Sequence, residues 1–285
     1  MAGQDAPSGL STEPMDEVRR DRAQAPAQDG REFYRLLEPD EPPPFFVHCP
    51  EGASPFFITC DHAGNLIPKR LGTLGLEPLH LARHIAWDVG ASGLCRRLSS
   101  LLDATVVTQT YSRLVIDCNR SPDRYDSMAP LSEDIEIPGN QSILAPEAEA
   151  RAREIFLPYH EAISGLLDAR QAAGRPTVLI AMHSFTPVYH GVSRPWHIGL
   201  LYNRDPRLAK ILEEFMSEDP ALCIGDNEPY AISDESDYGI PVHGEKRGFP
   251  SIEIEMRHDL IETVEGQVLW AERLAAWFTR ALERL

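Results

Sequence analysis

A single α/β domain, with helices on both faces of a mixed but mostly parallel sheet, is the fold class this sequence predicts. Two patterns carry that reading. Short apolar runs recur along the chain as PFFITC (55–60), ATVVTQT (104–110), RLVIDC (113–118), TVLIAMH (177–183), HIGLLY (197–202) and PSIEIEM (250–256). Several are apolar without alternation, the signature of strands buried on both faces. Between them, residues 78–102, 146–173, 206–218 and 260–285 mix apolar and charged positions at helical spacing. Strand and helix in alternation imply a sheet covered on both sides. The chain has 285 residues at 42% hydrophobic composition, enough for one sizeable core.

Taken in order, residues 1–30 are rich in Ala, Asp, Gln, Pro and Gly without apolar periodicity, a composition that cannot offset its ordering entropy. They are read as a disordered tail, with the catalytic domain spanning 31–285. Prolines in the EPDEPPPFF stretch exclude helix from 31–54, so this segment reads as an extended lead-in and the globular fold is expected to begin near Pro55. Residues 78–102 place Leu79, Ala82, Ile85, Val89 and Leu94 at helical period. RLVIDC reads as a strand, and alternation sends Arg113, Asp117 and Asn119 to one side of it. The loops at 121–144 and 226–249, rich in Pro, Gly, Asp and Ser, are long enough to cover a site.

Composition excludes several classes of function. With 44 acidic against 27 basic residues and a net charge of -17, the chain repels phosphate backbones and anionic lipid. No nucleic-acid or membrane partner is expected, and an anionic small substrate needs arginines placed locally. The five cysteines show no CxxC pair, and no signal-peptide pattern or membrane-length apolar run is present. A soluble, cytoplasmic protein fits. No HExxH, GxSxG, P-loop or dinucleotide glycine motif occurs in context.

In open α/β sheets ligands bind beyond the carboxyl ends of the strands, so polar residues that close apolar runs carry weight. PFFITC runs into Asp61-His62-Ala63-Gly64-Asn65, RLVIDC into Asn119-Arg120, and TVLIAM into His183-Ser184. PSIEIEM carries Glu253 and Glu255 before Arg257. His62 and His183 either cap strands through hydrogen bonds or give a nitrogen each to zinc or another divalent metal, whose catalytic sites take three protein ligands and an open position. For the third ligand, His80, His84 and Asp88 are spaced i, i+4, i+8 on one expected helix face. Arg113 and Asp117 form either a structural ion pair or part of the site, while Asn119 beside Arg120 offers fork geometry for a carboxylate. Ser184 is not in a nucleophile motif but lies beside His183. His243, on a Gly-rich loop, either reaches the substrate or stands in solvent.

These segments together resemble the N-formylglutamate amidohydrolase family. DHAGNLIP looks like its His-small-Gly…Ile-Pro segment, HIAWDVGASGL its Asp-x-Gly helix and SRLVIDCNR its Ser-Arg…Asp-x-Asn-Arg strand; MHSF and IEIEMRHDLI continue the match over residues 55–285. That family is similar in turn to zinc carboxypeptidases and acylamino-acid deacylases, which implies a zinc carboxypeptidase-like fold and a metal held by His62, Asp88 and His183. The resemblance implies Asn119 and Arg120 as carboxylate holders and Glu255 as general base; beside them, Arg113 or Arg257 is expected at the oxyanion, and Ser184, His243 and Arg257 are expected as further substrate contacts. One departure matters: where the carboxypeptidase pattern has a glutamate, this chain has Asn65, and Asp88 supplies the acid instead. The implied reaction is metal-dependent removal of an N-acyl group, formyl above all, from an acidic amino acid such as N-formyl-L-glutamate, giving formate and glutamate. The alternatives are a deacylase or carboxypeptidase for another acylamino acid or short peptide, and a binding module without turnover.

Overall fold

β-branched and aromatic residues bracketed by Pro, Gly and polar residues turn most of the apolar runs into strands, and a computed structural model describes residues 34–285. The tail at 1–30 lies outside the described residues. The elements run β1 (Phe45–His48), β2 (Phe56–Cys60), α1 (Pro78–Leu81), α2 (Ala91–Leu102) and β3 (Thr105–Gln109). A two-stranded hairpin follows, β4 (Leu131–Ser132) with β5 (Ile135–Glu136), and then α3 (Ala145–Arg151), joined by a π turn to α4 (Leu157–Ala172). Next come β6 (Val178–Phe185), a second hairpin of β7 (Val188–Tyr189) and β8 (Val192–Ser193), β9 (Ile198–Leu201), α5 (Arg207–Met216), β10 (Ile224–Asp226), β11 (Ser251–Arg257) and α6 (Val264–Leu282).

The main sheet is seven-stranded in the order β1-β3-β2-β6-β11-β9-β10. Its centre, β3-β2-β6-β11, is parallel; β1 joins antiparallel to β3, and β9 antiparallel to β11. The fold is therefore the mixed, mostly parallel α/β sheet that the sequence predicts. In β11 and β6 the side chains alternate: Ile252, Ile254, Met256, Ile180 and Met182 enter the core under α2, α5 and α6. Leu179 and Ala181 enter the opposite core with Phe57, Val107 and the α4 residues Tyr159, Ile163 and Leu167. Helix α6 alone buries Trp270, Leu274, Trp277 and Phe278, each worth about 1.5–3 kcal/mol when fully removed from water. Its N-cap, Thr263, accepts from the Gly266 N–H at 3.1 Å.

Three expectations are corrected, and one short strand is added. The fold does not begin near Pro55: β1 pairs with β3, and Leu36 is buried with its N–H bonded to Glu154. The short strand β10 extends the sheet beyond β9. Residues 113–118 form turns rather than a strand, because their backbone groups bond locally and across the fold: Leu114 N–H to Ser112 Oγ, Val115 N–H to Ser112 O and Asp117 N–H to Ser127 O. Residues 78–102 are not one helix. The chain leaves α1 after Leu81 and restarts at Ala91 behind Gly90, whose φ of +83 favours glycine and whose added Cβ would lie 2.2 Å from the Ile261 carbonyl oxygen. Asp88 therefore sits on a loop, and its relation to His80 and His84 is not that of a helix face.

Candidate metal centre and active site

The apolar side chains that β2, β6 and β11 send toward α4 stop near the carboxyl ends of these strands, and polar ones replace them. His62 follows β2, His183 is the sixth residue of β6, and Glu255 is its register partner on β11. Gly64 lets the chain after His62 pass against Thr110, where a Cβ would lie 2.0 Å from a carbonyl oxygen. Loop residue Asp88 is fixed by its N–H to the His62 carbonyl at 2.9 Å and by the Ser184 N–H donating to Oδ2 at 3.2 Å.

His62, Asp88 and His183 are all buried, and one ligand atom from each lies within 4.8 Å of the others. Asp88 Oδ2 is 2.9 Å from His183 Nδ1 and 3.4 Å from His62 Nδ1. The far nitrogens face acids. His62 Nε2 lies 2.7 Å from Asp117 Oδ1, and His183 Nε2 stands 3.5 Å from Asp61 Oδ2 and 3.8 Å from Glu253 Oε2. Metal-bound histidines are held as His62 is, the free ring N–H given to a carboxylate so that the other nitrogen keeps its lone pair for the ion, whereas His183 Nε2 faces its two acids without a hydrogen bond. His62 Nδ1 is buried without a hydrogen-bond partner, as is Glu255 Oε2. The charges are lopsided: Asp61, Asp88, Asp117, Glu253 and Glu255 crowd around two histidines and Arg113. Burying so many carboxyls is costly unless a cation accompanies them, so the donor set fits a divalent ion.

The surrounding fields have clear signs. Burial opposes charge on His62 and His183, yet the facing carboxylates hold both above the ordinary histidine value. Asp117, despite its burial, is held well below the carboxylate range by Arg113 and His62. Burial pushes the Glu255 carboxyl well up, against the pull of His183, and lifts Glu253 to about 7.

A cavity of about 430 Å³ opens on this cluster, lined by His62, His183, Glu253 and Glu255. Arg113, Asn119, Arg120 and Ser184 also line it, and both long loops contribute walls, Asp126, Ser132 and Glu133 from one and Tyr230, Ser236 and Asp237 from the other. Arg113 donates to Asp117 Oδ2 at 2.6 Å. Arg120 is 3.4 Å from Asp237 Oδ1 and donates to the carbonyls of Asn119 and Ser236. Asn119 differs from its expected part as a carboxylate holder. Its Oδ1 accepts from the Tyr238 and Gly239 N–H groups at 3.0 and 2.9 Å, and its Nδ2 donates to Asp237 at 3.1 Å, so it pins the 237–239 backbone.

Other expected residues lie elsewhere. Arg257 is bonded to Asp259 at 2.8 Å, outside the cavity lining. His243 is neither a substrate contact nor exposed: it is buried, with Nε2 2.8 Å from His160 Nδ1. His84 lines the cavity but is 3.0 Å from Glu133, and Asn65 turns away to donate to the Leu81 carbonyl at 3.0 Å. Sequence reasoning named Asp61 and Asp117 within its motifs but not as the acids that face the histidine far nitrogens. It missed Tyr230, for which no local signal exists.

The comparisons with known proteins agree with this architecture. The sequence profile of the family described as N-formylglutamate amidohydrolase matches residues 54–262. No curated protein matches the chain. Among solved structures, the gene product Atu2144 from Agrobacterium tumefaciens is similar at 37% identity and TM-score 0.85, over 88% of this chain and 99% of that one. The N-formylglutamate amidohydrolase from Ralstonia eutropha JMP134 superposes with TM-score 0.59 at 20% identity, over 83% and 98% of the two chains, which shows a shared fold. No helix among the described residues is long and apolar enough to cross a membrane.

Proposed function

Because the chain belongs to the N-formylglutamate amidohydrolase family, a family of enzymes acting on a carbon–nitrogen amide bond, we propose that it hydrolyses N-formyl-L-glutamate to formate and glutamate at a metal held by His62, Asp88 and His183. The observation that carries this reading is the pairing of that buried donor set with an unpartnered Glu255 Oε2 at one cavity, which His62, His183 and Glu255 line. A divalent ion bound there would supply Lewis acidity, polarising the formyl carbonyl and lowering the pKa of water to about 7.

The protein's own groups then divide the work. Glu255 Oε2 takes a proton from the attacking water and returns it to the departing α-amine, so that one water is consumed and formate and glutamate leave. Its raised affinity for protons, a consequence of burial, suits a group that must hold the proton between the two steps. Arg113, positioned by Asp117, lies on the cavity wall where the carbonyl oxygen gains charge, and such a donor is worth about 10²–10³ in rate. Arg120 takes a substrate carboxylate, while Asn119 orients the loop that carries Asp237. Glu253 and Asp61 keep the His183 ring in place. Ser184 contributes mainly through its N–H to Asp88 and through its Oγ, which donates to the Val89 carbonyl at 3.0 Å.

The test is formate release from N-formyl-L-glutamate by zinc-loaded protein, with and without chelator. Turnover that chelation abolishes and zinc restores is expected. Substrate binding without any release of formate, at full metal occupancy, would leave a binding module and overturn the reading.

A further inference from the structure

Among the described residues, no acid pairs with the buried guanidinium of Arg194. This residue follows directly on β8, closes the β7–β8 hairpin through its N–H to the Pro187 carbonyl, and is 9% exposed. Its guanidinium carbon lies 4.4 Å from the ring centre of Tyr189 and 4.9 Å from that of Tyr230, with Phe185 at 5.9 Å. Among the described residues its one side-chain hydrogen bond is from Nη1 to the Tyr230 hydroxyl at 2.9 Å, and none of their ion pairs includes it. Arg113 and Arg120, by contrast, are each bonded to a carboxylate. Burying a cation is costly unless something compensates it. Two aromatic faces supply part of that compensation, in a chain with acids in excess by 44 to 27.

The position of this cation gives it a use. Tyr189 and Tyr230, the rings that sandwich it, both line the cavity that holds His62, His183 and Glu255. Since Arg194 donates into the Tyr230 oxygen, the phenolic hydrogen points away from Arg194 and is free for another acceptor, and a tyrosine hydroxyl stays protonated at neutral pH. Tyr230 thus carries the field of Arg194 to the cavity wall as a donor. The carboxyls already in the cavity repel a substrate with two carboxylates, and the cations there are partly neutralised by Asp117 and Asp237.

We propose that the Tyr230 hydroxyl, oriented and polarised by Arg194, binds the side-chain carboxylate of an acidic N-acyl amino acid and so sets the preference for acidic over neutral substrates. This rests on the amide-hydrolase reading above and adds to it the residue pair that recognises the side chain. Tyr230 is the contact residue and Arg194 the positioning residue behind it. The competing role for the pair is a structural pin between the β7–β8 hairpin and the 226–249 loop, which would affect all substrates alike.

The experiment compares wild type, Tyr230→Phe, Arg194→Gln and Arg194→Lys as full-length, zinc-loaded proteins on N-formyl-L-glutamate and its neutral isostere N-formyl-L-glutamine. Binding of L-glutamate and L-glutamine is measured by calorimetry alongside. Tyr230→Phe and Arg194→Gln should reduce the kcat/KM preference for the glutamate compound about ten- to a hundredfold, the worth of one charge-assisted hydrogen bond, with the change in KM. Arg194→Lys should recover part of it. Equal losses on both substrates, or an unchanged preference in Tyr230→Phe, overturn the proposal. If wild type hydrolyses neither compound, the reaction assignment fails, and the calorimetric preference decides alone: its loss in Tyr230→Phe upholds the recognition site, its persistence sinks it.

Discussion

Acidification should unfold this protein through a histidine pair that the reaction does not use. His160 donates from Nε2 to the Cys118 carbonyl at 2.8 Å, which leaves its Nδ1 to accept from His243 Nε2 at 2.8 Å. The rings stack 5.1 Å apart, and His243 Nδ1 is buried with no partner. Desolvation pushes His160 down to about 4, and desolvation reinforced by His160 pushes His243 down to about 3. Both folded values lie below the unfolded value of about 6.5, so the unfolded chain binds more protons as the pH falls. Stability from the pair is therefore complete above about pH 6.5 and is lost as the pH drops toward the folded values. Each histidine loses about 1.4 kcal/mol per pH unit, so the pair loses about 4 kcal/mol by pH 5, or about 2 if one proton is shared between the rings. Denaturant unfolding of wild type and His243→Gln at pH 7.5 and pH 5 reads this out, because glutamine can donate to His160 yet cannot ionise. The variant should be less stable at pH 7.5 but should show a pH dependence smaller by about 2 kcal/mol. An identical pH dependence in both proteins would refute the reasoning. The carbonyl that His160 holds precedes Asn119 and Arg120, so the same loss loosens one cavity wall.

Purified protein should contain about one divalent ion per chain, as expected for a three-ligand site; His62→Ala and His183→Ala should lose it by elemental analysis, and full occupancy in either variant would remove that residue from the ligand set. Glu255→Gln should keep the ion while kcat falls about 10²–10⁴-fold, whereas Glu253→Gln, which removes a partner of His183, should weaken metal affinity about 10–100-fold; near-normal kcat in Glu255→Gln would move the base elsewhere. Gly90→Ala should cost at least about 2 kcal/mol, since it combines a positive φ with a collision against Ile261, and because Asp88 is two residues away it should also lower metal affinity, measured by competition with a chelator.

The sheet was legible where tertiary context reinforced local preference. PFFITC and TVLIAM are apolar on both faces because both faces are covered, PSIEIEM alternates Ile and Met with two buried glutamates, and each became a strand within a residue or two of the run. RLVIDC has the same composition, yet its hydrogen bonds go to Ser112 and Ser127, and nothing within the run distinguishes a strand from a buried crossing. β1 was missed for the converse reason. Four partly exposed residues behind three prolines carry no strong pattern, and only the pairing with β3 makes them a strand. Asp88 was identified through a helical spacing the chain does not adopt, so its place beside His62 and His183 follows from a loop geometry that spacing could not show.

The candidate site divides along the same line. Histidines at strand ends advertise themselves because the covered sheet leaves few other places for them, and Arg113 and Arg120 stand out in an apolar run. Asp61 and Asp117 are neighbours of those residues in sequence, but their importance lies in which ring nitrogen they face, a matter of distances of 2.7 to 3.5 Å. Arg194 is harder still, since its significance is the lack of an acid partner, and no sequence pattern records an unmade contact. On the proposed reading, these features bear on how a chain of net charge -17 would receive an anion. Long-range attraction is unavailable, so the positive charge must be local and desolvated, where screening by salt is weak. The cations closest to the metal donors are half-spent on structural acids; the unspent one is set behind a tyrosine, where it can answer a second carboxylate without drawing on the metal centre.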